Sequence, residues 1–207
     1  MILINKKFNT LEDLNKKIFE EILSVISAQK SSYFILSGGN SPRYLFKSIA
    51  QNIKHFKEAT FLMSDERIVD TEDPNSNEGQ FRRLSKTPRD NLISLHDKKI
   101  IHKLNNISFY DIAILGMGED GHFASIFPNC INTSSALKSQ NNIVSFQDEH
   151  LDFPRISLSL NEILKAKKII LIASSKKKQS TLRDQRDLPI HHLLQKSFER
   201  LLIFNCD

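Results

Sequence analysis

The chain has 207 residues, 40% of them hydrophobic, with 14 phenylalanines and no tryptophan, which is enough to build one ordinary domain with a core that needs no disulfides. Its formal charge of +5 is scattered, and the one dense basic run, residues 176–178, ends an apolar segment without helix-turn-helix, zinc-finger or aromatic-basic spacing, which argues against a nucleic-acid partner. Two distant cysteines exclude a disulfide framework or a cysteine metal site, no apolar stretch reaches membrane-span length and residues 1–7 lack the order of a signal peptide, so a cytoplasmic protein with reduced thiols and no membrane contact is expected.

In chain order, Leu11, Leu14, Ile18, Ile22 and Val25 recur at helical spacing over residues 10–30, with Thr10 and Asp13 as a cap pair. This predicts a core-facing amphipathic helix. Strands are predicted over residues 33–36, 60–63, 111–115, 143–146, 169–173 and 201–204, separated by helical or loop segments such as 42–54, 77–84 and 161–167. Continuous apolar strands alternating with helices predict a single α/β domain, a mainly parallel sheet with helices on both faces.

Three of these strands run into specialised turns, and in open α/β sheets ligands bind at that carboxyl edge. The first turn is Ser37-Gly38-Gly39-Asn40-Ser41, followed by Pro42 at a helix start with Ser41 as its expected cap. Free amides and the positive helix end favour phosphate or carboxylate there, although a ligand-free turn fits the same residues. The second strand delivers Ser64-Asp65-Glu66-Arg67 and then Asp73-Pro74-Asn75-Ser76-Asn77, which taken alone also reads as a solvated loop with an acid paired to Arg67. The third ends in Gly116-Met117-Gly118-Glu119-Asp120-Gly121-His122, holding three of the six glycines. Glycine lets the backbone approach a ligand closely, so this turn can present His122 beside unobstructed amides.

These motifs, the extension of the third through Phe123-Ala124-Ser125-Ile126-Phe127-Pro128, and Pro154-Arg155-Ile156-Ser157-Leu158 together resemble the 6-phosphogluconolactonase family over nearly the whole chain. The resemblance implies a Rossmann-like fold. It also implies hydrolysis of 6-phosphoglucono-1,5-lactone to 6-phosphogluconate in the oxidative pentose phosphate route, with neither metal nor organic cofactor. The implied partner is a small sugar-phosphate lactone, handled by a monomer or weak homo-oligomer. On this chain the resemblance implies His122 as general base and Asp120 as its orienting acid. The implied phosphate-binding positions are Ser37, Gly38, Gly39, Asn40, Arg67, Arg155 and one lysine of 176–178, Lys177 by strand alignment. Ser174 stands where the family carries a small glycine before that lysine.

Two rival functions remain. An amino-sugar-phosphate isomerase-deaminase shares the fold but needs an additional acid after the histidine, where this chain has Ile126 and Phe127, and usually an aromatic residue where Arg67 stands. A non-catalytic sugar-phosphate sensor would keep the anion loops and lose the acid and base. The adjacent His191 and His192 point apart and lack a partnering acid at ligand spacing, so no metal is expected there.

Overall fold

The computed structural model describes residues 4–184 and 187–206, so residues 1–3 of the segment read as lacking a signal peptide lie outside the described residues. β1 (Ile4–Phe8) leads to α1 (Leu11–Ala28), which starts as the sequence predicts: Thr10 Oγ1 accepts the Asp13 amide at 3.0 Å and donates to the Asp13 carboxylate at 2.8 Å. Next come β2 (Ser32–Leu36), α2 (Arg43–Gln51), β3 (Ala59–Met63), β4 (Asp65–Arg67), α3 (Asn77–Ser85), β5 (Leu92–Ile93), α4 (Ile100–Asn105) and β6 (Tyr110–Gly116). The remainder forms α5 (Thr133–Lys138), β7 (Ile143–Phe146), β8 (Arg155–Leu158), α6 (Leu160–Ile163), β9 (Ala166–Ala173), α7 (Lys176–Thr181), α8 (Pro189–Lys196) and β10 (Leu201–Cys206).

Seven strands make one sheet in the order β1-β10-β9-β6-β2-β3-β5, and its pairings are parallel. Ile112, Ala113, Ile114 and Leu115 of β6 are fully buried, as Ile169, Ile170, Leu171 and Ile172 of β9 are. A strand apolar on both faces must be covered on both, which is why the hydrophobic runs were continuous rather than alternating. α2 packs against both α1 and α3 in one group of helices, and α5 contacts α6 and α8 in another. Phenylalanines fill the space beside β2 and β3: Phe61 lies 5.6 Å from Phe34 and 5.2 Å from Phe81, ring centre to ring centre.

β4, β8 and β7 form a second, antiparallel sheet that the mainly parallel reading does not contain. Two further departures have local causes. Of the segment 161–167, expected as helix or loop, only the single turn α6 is helical and β9 already begins at Ala166. Lys167 and Lys168 ride on that strand because Asp111 and Glu21 receive their ammonium groups at 3.0 and 2.8 Å. At the start of α2, Pro42 rather than Ser41 is the flanking residue, and no side chain of the turn caps the helix. The buried Asn15 of α1 does that work instead, accepting the Leu45 amide at 3.2 Å and donating to the Ser41 carbonyl at 2.8 Å.

Candidate active site

β2 and β6 are neighbours, yet the chain continues from β2 toward β3 on one side and β9 lies beyond β6 on the other. Such a reversal opens a crevice at the carboxyl ends of the strands. The loops leaving β2 and β6 are tied together there: the Ser37 amide donates to the Ile114 carbonyl at 2.9 Å, and the Gly116 amide donates to Ser37 Oγ at 2.9 Å. In the first loop Gly39 takes φ +81° with open space around it, so its backbone faces the crevice unobstructed. Gly38 is required for a different reason, since a Cβ there would sit 2.0 Å from Asn77 Oδ1.

The second loop holds His122. Its Nδ1 lies 2.7 Å from Asp120 Oδ1, and its amide donates to the same oxygen at 3.2 Å. Burial pushes the Asp120 carboxyl up, but the hydrogen bond from the His122 ring, the His122 charge and the backbone amides together outweigh this and leave it below the ordinary carboxylate range. An ionised carboxylate only accepts, so Nδ1 carries the proton and Nε2 is the basic nitrogen. Gly118 makes the pair possible, because a Cβ would stand 2.3 Å from both Asp120 Oδ1 and the imidazole. The loop then doubles back: Ala124 adopts φ +49°, the Ile126 amide donates to the Phe123 carbonyl at 3.0 Å, and Phe127 returns against the His122 ring at 4.4 Å.

The cations come from the second sheet. β4 and β8 are paired so that Arg67 and Arg155 stand directly opposite each other. Like charges so placed destabilise the ladder unless an anion lies between them. Burial lowers the Arg155 pKa, and the Arg67 charge lowers it further against the opposing pull of Asp65, Asp152 and Glu66. Arg67 is held by Nη1 donating to the Asn75 carbonyl at 2.7 Å and to Asn77 Oδ1 at 2.9 Å. The Nε atoms of both arginines are buried with no protein partner. Glu66 does not pair with Arg67 through its side chain; its buried carboxylate accepts the amides of Arg67, Asn77 and Glu78 and the Ser76 hydroxyl, closing the start of α3.

One cleft of about 200 Å³ gathers Ser37, Gly38, Gly39, Asn40, Arg67, Arg155 and His122. Asp120 touches it only through His122 and lines a neighbouring hollow. Lys177 is not part of the wall: its ammonium group pairs with Glu119 at 2.7 Å, and that bond raises its pKa. Lys178 lines the cleft instead, half-buried, with its pKa lowered by that burial. The strand alignment that favoured Lys177 fails because these lysines open a helix, with Ser175 accepting the Lys178 amide at 3.2 Å. Helical phase points to the lysine that lines the cleft, since Thr181 and Leu182, three and four positions on, mark the inward face that Lys178 shares. Asp65, Asn77 and Phe127 also line the cleft and received no role from the sequence, although all lie in motifs that it singled out. Among the described residues no group of three or more His, Cys, Asp or Glu converges to hold a metal.

Residues 5–202 match the family described as Glucosamine-6-phosphate isomerases/6-phosphogluconolactonase. The chain is 27% identical to the 6-phosphogluconolactonase of Aggregatibacter actinomycetemcomitans, over 90% of this chain and 87% of that protein. It is 29% identical to the 6-phosphogluconolactonase of Helicobacter pylori strain 26695, over 85% and 83% respectively. Among solved structures, its fold is similar to a 6-phosphogluconolactonase from Shewanella baltica, with a TM-score of 0.85 at 24% identity covering 100% of this chain and 98% of that one. A monomeric glucosamine-6-phosphate deaminase also shares the fold, with a TM-score of 0.79 at 17% identity, covering 99% and 97%. The cleft at the β2–β6 reversal is thus carried by a chain that belongs to the glucosamine-6-phosphate isomerase/6-phosphogluconolactonase family.

Proposed function

We propose that this protein hydrolyses 6-phosphoglucono-1,5-lactone to 6-phosphogluconate, acting in the cytoplasm on the oxidative pentose phosphate route. The observation that carries the reading is the convergence, in one cleft, of an imidazole whose Nδ1 is tied to a carboxylate and two arginines from directly paired strand positions. In this reading Arg67, Arg155 and Lys178 hold the substrate phosphate, with the Gly38, Gly39 and Asn40 amides supplying hydrogen bonds. His122 Nε2 takes a proton from water as the water oxygen bonds to C1. The carbonyl oxygen becomes an oxyanion facing the loop amides and cations. Collapse re-forms the carbonyl, breaks the bond between C1 and the ring oxygen, and returns the proton from the imidazolium to that oxygen. No metal or organic cofactor enters these steps.

The shared fold keeps the isomerase-deaminase in view, but the positions that would move a proton between carbons are Ile126, fully buried, and Phe127, an aromatic ring. A sensor would have no use for the Asp120–His122 pair. The test is acid release from freshly made 6-phosphogluconolactone in a pH-stat. His122→Ala is expected to lose 10²-fold or more in turnover, on the order of a general-base contribution, while still binding 6-phosphogluconate. Arg155→Ala is expected to lose affinity first. Normal turnover by both variants overturns the assignment.

A further inference from the structure

Phe127 stands between the two ends of the cleft. Its ring centre lies 4.4 Å from the His122 ring, with the planes at 42°, and Arg155 Cζ lies 5.3 Å over the same ring. The neighbours Phe123 and Ile126 are fully buried in the core, whereas Phe127 is left half-buried on the cleft wall. Left-handed backbone at Ala124 and at Asn129 (φ +66°) brackets it, so the loop is folded to bring this ring back over a residue five positions earlier.

Arg155 poses a problem of support. It is half-buried opposite Arg67, and its Nε has no protein partner. A carboxylate could pin it, but would occupy the planar fork that an anion needs. An aromatic face attracts the cation through its quadrupole and leaves the N–H groups unused. The same ring packs against the imidazole and limits its rotation, complementing the bond from Nδ1 to Asp120.

We propose that Phe127 is a positioning residue that sets the spacing and orientation between the His122 imidazole and the Arg155 guanidinium, coupling phosphate capture to alignment of the base. This rests on the reading of His122 as base and Arg155 as phosphate ligand. The test compares the wild-type chain with Phe127→Leu and Phe127→Tyr. Affinity for inorganic phosphate is read by calorimetry, and kcat and KM are read separately with the lactone. Phe127→Leu is expected to weaken phosphate at least threefold, consistent with loss of one desolvated cation–π contact, and to lower kcat while raising KM. Phe127→Tyr, which keeps the ring face, is expected to stay within twofold of wild type on all three.

Unchanged phosphate affinity in the leucine variant overturns the proposal, as does a tyrosine variant as impaired as the leucine one. Should the leucine variant not fold, phosphate titration of the wild-type protein followed by NMR decides the matter. Ring protons of Phe127 and His122 shifting with one midpoint support the coupling; shifts confined to the residue 37–40 loop refute it. Failure of the lactonase reading registers elsewhere, as wild-type protein that binds phosphate without accelerating lactone hydrolysis.

Discussion

Asp120 decides which nitrogen of His122 is basic. An asparagine there can donate its amide to Nδ1, which moves the ring proton to Nε2 and removes the base without removing the ring. Asp120→Asn is therefore expected to lower kcat on the order of 10²-fold or more with little change in KM, measured in the lactone assay. The pH profile follows from the sign of the shift. Asp120 is held below the ordinary carboxylate range, so it stays ionised through neutrality and loses its charge only as pH falls through that depressed value. Loss of the Asp120 charge is then expected to appear in kcat/KM as an acidic step below the pH at which an ordinary carboxylate titrates, measured in the lactone assay. Gly118→Ala should cost as much as losing the histidine, because the added methyl group overlaps both partners. His122 and its loop were legible because glycine next to a functional group leaves a strong compositional mark. Asn77 was not, because its role is to receive Arg67 Nη1 from ten positions earlier in the chain, and no local pattern records that.

At the scale of elements, the junction of β4 with α3 is closed by one carboxylate. Burial raises the Glu66 pKa, yet the amides of Glu78, Asn77 and Arg67 and the Ser76 hydroxyl pull it back toward the charged form. Replacing Glu66 with alanine strands those donors in a buried place and is expected to cost about 3 kcal/mol, or roughly 6–12 °C in melting temperature by calorimetry. The β4–β8 ladder predicts the opposite sign for a neighbour. Arg155→Leu removes a half-buried cation from opposite another, so the unliganded protein is expected to melt no lower than wild type while phosphate no longer raises its melting temperature. β4 and β8 escaped the sequence reading because they are only three and four residues long, too short for a period to register, and β4 is charged at every position. The Thr10–Asp13 cap was readable because both partners lie within one helical turn.

For the whole molecule, the parallel sheet was legible since strands buried on both faces must be written as unbroken apolar runs. Strand order was not, because nothing local tells β6 to lie between β2 and β9. The formal charge of +5 and the paired arginines predict that KM for an anionic lactone rises with ionic strength, steeply below about 0.1 M, where screening is weakest. The paired arginines carry a practical corollary for anyone handling the protein. Two cations held at paired strand positions are expected to attract whatever oxyanion the buffer provides. Protein prepared in phosphate or sulfate should look thermally hardened and kinetically sluggish, and exchange into a bulky zwitterionic buffer should reverse both traits together.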